Sequence, residues 1–273
     1  MAPSKSVLTC IVPFAPRSFT RDWKLACKYL EQTIDSLLNS EDPRIAVVVV
    51  GHDYPGDFIS TDPRVNFLRR DMATPPVALA KDPVLAITDK LLKVRCGWEF
   101  SKKHLESDYV MIVDADDFLS RKVVGFLAQS GNFPAYRISD GWIWNTGSQL
   151  TIESTESFNL LCGSSVIVRA DVAEKEFDLE AISNSPPEYA VLAYAGKKPS
   201  LLINELHGYA DKAMALHGLK ICDIPFRAGI YRVGNINSHS RRTYKSHSLR
   251  LLLGRIRRLR LLTPSIKTEF ALF

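Results

Sequence analysis

The chain has 273 residues, 46% of them hydrophobic, with mean hydropathy close to zero (−0.04) and a formal net charge of +5. That is enough apolar material for one full α/β core, and no run reaches the length of a membrane span, so disordered and membrane-embedded classes are set aside. The charge is uneven: residues 224–273 carry eleven Lys and Arg against one acid, Glu269, while residues 1–223 carry 24 bases against 29 acids.

Val7 to Pro13 reads as a first strand and is followed by the polar loop Ala15-Pro16-Arg17-Ser18. Trp23, Ala26, Cys27, Leu30, Ile34, Leu37 and Leu38 then recur at the spacing of one helical stripe. Ile45 to Val50 is an almost purely β-branched run, the pattern of a strand covered on both faces, and it stops at Gly51-His52-Asp53. Strand, helix, strand predicts a βαβ unit. Phe58 to Pro83 is rich in Pro and Asp and reads as loop with a short strand at Val65 to Leu68. A helix from Val84 to His104 leads to a third buried strand, Tyr109 to Val113. Further on, a helix is expected over Leu119 to Gln129 and strands over Ala135 to Ile138 and Ser165 to Arg169, with an aromatic loop Gly141-Trp142-Ile143-Trp144-Asn145 between them. Pro186 to Ala195 and Asn204 to His217 read as helices, and a short strand ends at Val233. Ser246 to Leu262 places Leu249, Leu252, Leu253, Ile256, Leu259 and Leu262 opposite Arg250, Arg255, Arg257, Arg258 and Arg260, the pattern of a basic amphipathic helix.

The five cysteines (Cys10, Cys27, Cys96, Cys162, Cys222) are odd in number and scattered, with no C-x-x-C pair for zinc or a redox disulfide. They are expected to be reduced, buried thiols. The start, Met-Ala-Pro-Ser-Lys-Ser, runs into a strand without the apolar stretch of a secretory signal, so a cytoplasmic location is expected, with a possible peripheral place on the inner membrane face.

The third strand ends in Asp114-Ala-Asp116-Asp117, three carboxylates in four positions. Ligands of open α/β sheets bind at the carboxyl ends of strands, and carboxylates two apart can converge on a hard cation such as Mg²⁺ or Mn²⁺, which in turn bridges phosphates. A competing role is structural, with Asp116 or Asp117 as N-cap of the next helix.

Several segments resemble the GT-A glycosyltransferases of the family 2 type, and the likeness extends from Val7 to His239. They are the first strand ending in Val12-Pro13-Phe14, the second ending in Gly51-His52-Asp53, and Lys90-Leu-Leu-Lys93-Val-Arg95-Cys-Gly97 ahead of the acidic turn. The resemblance implies a GT-A-like nucleotide-diphospho-sugar transferase fold. Its central, mostly parallel sheet would be flanked by helices, over a catalytic domain of residues 1–240 (1–120 nucleotide-binding, 121–240 acceptor-binding), with a basic helical tail over 241–273. It implies nucleotide contacts from Pro13, Asp53 and Arg95, and an Mn²⁺ or Mg²⁺ ion held by Asp114 and Asp116 with His239 as a third ligand. The chain departs from the family pattern between Arg95 and Asp114, where Lys102, Lys103 and His104 lengthen the connection. Leu161-Cys162-Gly163-Ser164-Ser165 resembles the small-residue turn that family 2 enzymes place under the sugar.

Family 2 enzymes set an acidic base at the start of a late helix, and here the usual Glu-Asp pair is missing. Glu205, His207 and Asp211 are the residues available. His207 and Asp211 stand four apart, share one helical face and can form an imidazole oriented by a carboxylate, so either can serve as the base. The implied reaction moves a sugar, with inversion favoured, from a nucleotide-diphosphate donor (a UDP-sugar favoured) to a hydroxyl on a glycan or lipid-linked acceptor. Trp142 and Trp144 offer an apolar platform for a sugar ring. Arg250, Arg255, Arg257 and Arg258 would meet an anionic membrane surface; no base-stacking aromatics are interleaved among them, so nucleic acid is not an expected partner. Two rivals remain. A nucleotidyltransferase would carry a Gly-rich phosphate loop where Pro13-Phe14-Ala15-Pro16-Arg17 stands, and a noncatalytic scaffold would keep the acids for structure.

Overall fold

The computed structural model describes residues 4–56, 61–70, 83–176, 210–216, 218–234 and 257–272. Among them, strands β1 (Ser4–Pro13), β2 (Ile45–Gly51), β3 (Val65–Arg69), β4 (Leu105–Ile112), β6 (Ala135–Arg137), β9 (Val166–Arg169) and β10 (Ile221–Asp223) form one sheet in the order β10-β6-β9-β4-β1-β2-β3. Every neighbouring pair is parallel except the two made by β9. The fold is thus mixed α/β, with a central and mostly parallel sheet flanked by helices.

Side-chain alternation along the strands builds the two faces. Leu8, Cys10 and Val12 of β1, Val47 and Val49 of β2, and Tyr109 and Met111 of β4 pack with Ala26, Cys27, Leu30, Ile34 and Leu37 of helix α1 (Trp23–Leu38) and with Val123, Val124 and Leu127 of α3 (Val123–Gln129). The intervening Ile11, Val110 and Ile112 face α2 (Pro83–His104), α4 (Ala170–Glu176) and α5 (Ala210–Leu216) through Val94, Trp98, Val172, Ala173, Ala210 and Met214. Period 2 in the strands thus meets period 3.6 in the helices on both sides. At Gly97 the α2 backbone comes so close to β1 that a Cβ there would stand 2.6 Å from the Ile11 side chain.

A second sheet, β12-β8-β7-β11-β5, is assembled from β5 (Phe118–Leu119), β7 (Gly141–Asn145), β8 (Leu150–Ser154), β11 (Gly229–Val233) and β12 (Leu259–Leu261). Phe158, fully buried, holds its inner end, because its ring fills the space over Gly141 and Gly229 where any Cβ would lie within 2.4 Å and 2.8 Å. Phe118, Trp144, Ile230, Leu262, Phe270 and Leu272 form its own core, closed by α6 (Pro264–Phe270).

Three expectations change. The aromatic stretch Gly141–Asn145 is strand β7, not a loop, since its glycine is what lets Phe158 approach. The helix expected over Leu119 to Gln129 begins only at Val123 with Lys122 as N-cap, because Phe118 and Leu119 are taken by pairing with β11; no acidic residue caps it. The basic helix expected to run to Leu262 gives way to β12 at Leu259–Leu261, paired antiparallel with β8, so the C-terminal residues 257–272 complete the second sheet. Residues 241–256, with Arg250 and Arg255, lie outside the described residues, as does the helix expected over Pro186 to Ala195; Arg257 and Arg258 are exposed ahead of β12. Cys10, Cys27 and Cys162 are buried free thiols, while Cys96 and Cys222 are half-buried. No helix among the described residues is long and apolar enough to cross a membrane.

Candidate functional site

Parallel strands align their carboxyl ends, and the register does so here: Pro13 stands beside Val50, and Ile11 beside Ile112. The segments leaving β1, β2 and β4, namely Pro13-Phe14, His52-Asp53 and Asp114 to Asp117, therefore share one edge. The Asp53 carboxylate accepts the Arg17 backbone N–H at 2.7 Å, which ties the helical turn Arg17–Phe19 to the end of β2.

Helix α2 supplies two lysines to this edge. The Lys93 ammonium is buried and donates to the Phe14 carbonyl at 2.7 Å and to Asp89 one turn earlier, while the other Asp89 oxygen holds His52 Nε2 at 2.6 Å. Burial pushes the Lys93 pKa down, and the charge of Asp89 opposes that shift. Lys90, three residues before Lys93, ion-pairs with Asp114. Arg95 sits on the flank of α2 near Arg70; burial lowers the Arg70 pKa, with a smaller lowering from the Arg95 charge.

The acidic turn divides its labour. Asp114 is partly exposed, at 32% for its side chain, and Asp116 is half-buried, whereas Asp117 is 1% exposed and points inward. Asp117 accepts the Ser164 hydroxyl at 2.7 Å and the Cys162 thiol at 3.2 Å. Burial, then the charges of Asp116 and Asp114, push its pKa well above the usual carboxylate range, against the pull of those hydrogen bonds. Beneath the turn lies Arg232 of β11, 0% exposed, its guanidinium 4.0 Å from the ring of Tyr29, 4.6 Å from Phe118 and 5.6 Å from Trp144. One nitrogen reaches Gln32 at 2.8 Å, and Nε and Nη1 have no hydrogen-bond partner among the described residues. Burial lowers its pKa to about 10, with Asp116, Tyr29 and Asp117 opposing, so Arg232 is a cation at neutral pH.

Asp114 and Asp116 offer the hard oxygen donors that Mn²⁺ or Mg²⁺ takes. Among the described residues no cluster of three or more His, Cys, Asp or Glu completes such a site. His239 and His207 lie outside the described residues, as does Glu205. Asp211, at the start of α5, has an exposed carboxylate paired with Arg137, which also grips Asp223 at 2.7 and 3.0 Å. Arg137 and Asp223 end β6 and β10, which run parallel to β4, so Asp211 belongs to the same sheet edge as Asp114 but stands beyond β9 and β6. Trp144 is not a sugar platform: it is 8% exposed, donates to the Ser148 carbonyl at 2.9 Å and packs in the second core, while Trp142 lies half-buried under the Arg227 guanidinium, 5.0 Å away.

Sequence reading missed roles for Lys90, Asp89, His52, Ser164 and Arg232. The i, i+4 pair Asp89 and Lys93 was a usable signal; Arg232 left none, because the three rings that bury it come from residues 29, 118 and 144.

No protein-family model matches the chain, and no curated protein sequence matches it. Among solved structures, the crystal structure of S. aureus TarS 1–349 is similar over 82% of this chain and 60% of that one, at 14% identity and a TM-score of 0.45. The chain thus spans less than two thirds of that structure's length. A likeness at this level assigns neither family nor activity.

Proposed function

We propose that the protein is a glycosyltransferase that moves a sugar from a nucleotide-diphosphate donor to a hydroxyl acceptor. The observation that carries this reading is the sharing of one carboxyl edge by Asp53, Lys90, Asp114 and Asp116, in a parallel sheet whose strand ends resemble the nucleotide half of the GT-A family 2 enzymes. In that reading Pro13 and Asp53 line the nucleoside, with Arg95 on the flank of α2. Asp114 and Asp116 would hold Mn²⁺ or Mg²⁺, which neutralises diphosphate charge when bound. Lys90, already at Asp114, adds a positive charge beside the phosphates.

The chemistry breaks the bond between the anomeric carbon and the phosphate oxygen and forms one to the acceptor oxygen. The acceptor proton passes to a base, and the bond electrons leave with the nucleoside diphosphate. Asp211 and His207 remain the residues proposed for that base, Asp211 becoming available once it parts from Arg137. The exposed Arg257 and Arg258, next to exposed Leu261, suit an anionic or lipid-linked acceptor environment, and co-sedimentation with phosphatidylglycerol vesicles but not with phosphatidylcholine ones tests this.

The Lys90–Asp114 ion pair also fits a second reading, a scaffold in which the acids serve structure alone. Nucleoside diphosphate release from UDP-sugars, assayed with Mn²⁺ for wild type and Asp114→Asn, separates the two. Transfer predicts turnover in the wild type and a loss of at least about a hundredfold in the variant, the size typical of removing a group that stabilises the transition state. Equal rates in both would remove the mechanism.

A further inference from the structure

The acidic turn carries three carboxylates, and the one nearest the protein interior is fully engaged. Asp117 Oδ2 accepts the Ser164 hydroxyl at 2.7 Å and the Cys162 thiol at 3.2 Å, and Oδ1 accepts a long hydrogen bond, 3.4 Å, from the Arg232 backbone N–H. The Ser164 oxygen in turn accepts the backbone N–H of Asp114 at 2.8 Å. The Asp114 amide N–H can only donate, so Ser164 accepts there and turns its own hydroxyl proton toward the Asp117 carboxylate. The turn is also closed on itself, with the Asp117 N–H donating to the Asp114 carbonyl at 3.1 Å.

Building on the donor-binding reading above, we propose that Asp117 is a positioning residue and not a cation ligand. Through Ser164 it fixes the peptide of Asp114, and through the N–H of Arg232 it fastens the acidic turn to the second sheet. Two observations carry this. A carboxylate that is 1% exposed and receives three donors has no free face for an ion. The peptide it steadies belongs to Asp114, the partly exposed acid opposite Lys90. The small-residue segment Cys162-Gly163-Ser164 then acts as a clamp on the acidic turn, with Ser164 as its pin. This is the structural counterpart of a supporting hydrogen bond behind a ligand, whose loss costs about 10- to 100-fold in binding.

The test uses the full chain as wild type, Ser164→Ala, Ser164→Thr and Asp117→Asn, and reads two quantities: amide hydrogen exchange across residues 111–119, and calorimetric binding of UDP with Mn²⁺. Ser164→Ala is expected to raise exchange at the Asp114 amide about tenfold, through local opening, and to weaken UDP binding by about 10- to 100-fold. Ser164→Thr, which keeps the hydroxyl, is expected to stay near wild type in both. Unchanged exchange in Ser164→Ala overturns the proposal. So does an Asp117→Asn protein that loses Mn²⁺-dependent binding while the Asp114 amide stays protected, since that pattern belongs to a ligand. If Asp117→Asn fails to fold, the serine pair decides alone. A wild type that binds no UDP defeats the donor reading, and the exchange response of the serine variants still decides the clamp.

Discussion

The two sheets are built by different means. In the first, the strands β1, β2 and β4, seven to ten residues long, lie parallel between two helical layers, and their alternate residues feed the two cores. In the second, strands of two to five residues are gathered around single large side chains, Phe158 at one end and the Arg232 cation among Tyr29, Phe118 and Trp144 at the other. The first sheet therefore draws its stability from many small contributions and places its site at an aligned edge. The second depends on a few residues and supports that site from below through the contact of Arg232 with Asp117.

If this contrast holds, the second sheet fails at single positions. Phe158→Ala is expected to cost about 3–5 kcal/mol in urea unfolding, the range for emptying a buried aromatic site, and a loss below about 1 kcal/mol would break the comparison. Around the first sheet an effect of similar size is expected at a buried charge. Asp89→Asn removes the carboxylate shared by Lys93 and His52, leaves a buried ammonium with the Phe14 carbonyl alone, and should also cost about 3–5 kcal/mol. Gly141→Ala and Gly97→Ala sharpen the point from the other direction. Each forces a Cβ against a neighbour, Phe158 or Ile11, for about 1–3 kcal/mol. Relief of the first by Phe158→Leu would show that the ring is the obstacle.

The smallest effect belongs to the surface. Asp62 is hydrogen-bonded to Arg64, first through its side chain and then through its backbone N–H, and its pKa is lowered in the folded state. A carboxylate with a lowered folded pKa contributes stability above its unfolded value of 3.8 that disappears as pH falls through the folded value. Asp62→Asn should therefore cost under about 1 kcal/mol at pH 7, discounted for exposure, and the difference from wild type should vanish in acid.

The same contrast explains what was legible in the sequence. Ile45 to Val50 and Tyr109 to Val113 read as buried strands because continuous apolar runs have few other uses, and the α1 stripe read as a helix because its spacing repeats over four turns. Gly141 to Asn145 read as a loop because its strand character depends on Phe158, a contact that local pattern does not encode. Leu259 to Leu261 read as helix because Leu252, Ile256 and Leu259 fit period 3.6 up to that point; pairing with β8 overrides the pattern. At the site, Asp53, Asp114 and Asp116 were visible as acids after buried strands. Asp117 looked like one more of the same, and only burial beside Ser164 and Cys162 separates it from the others.

The carboxyl edge bearing Asp53, Asp114 and Asp116 is proposed to bind a nucleotide diphosphate. A thermal-shift titration with UDP, GDP and their sugars, with and without Mn²⁺, tests it most directly. If the edge binds it, the unfolding midpoint climbs with ligand concentration for at least one nucleotide, more steeply with Mn²⁺, and stays flat in Asp114→Asn. A flat response of the wild type to every nucleotide at millimolar concentration would contradict it.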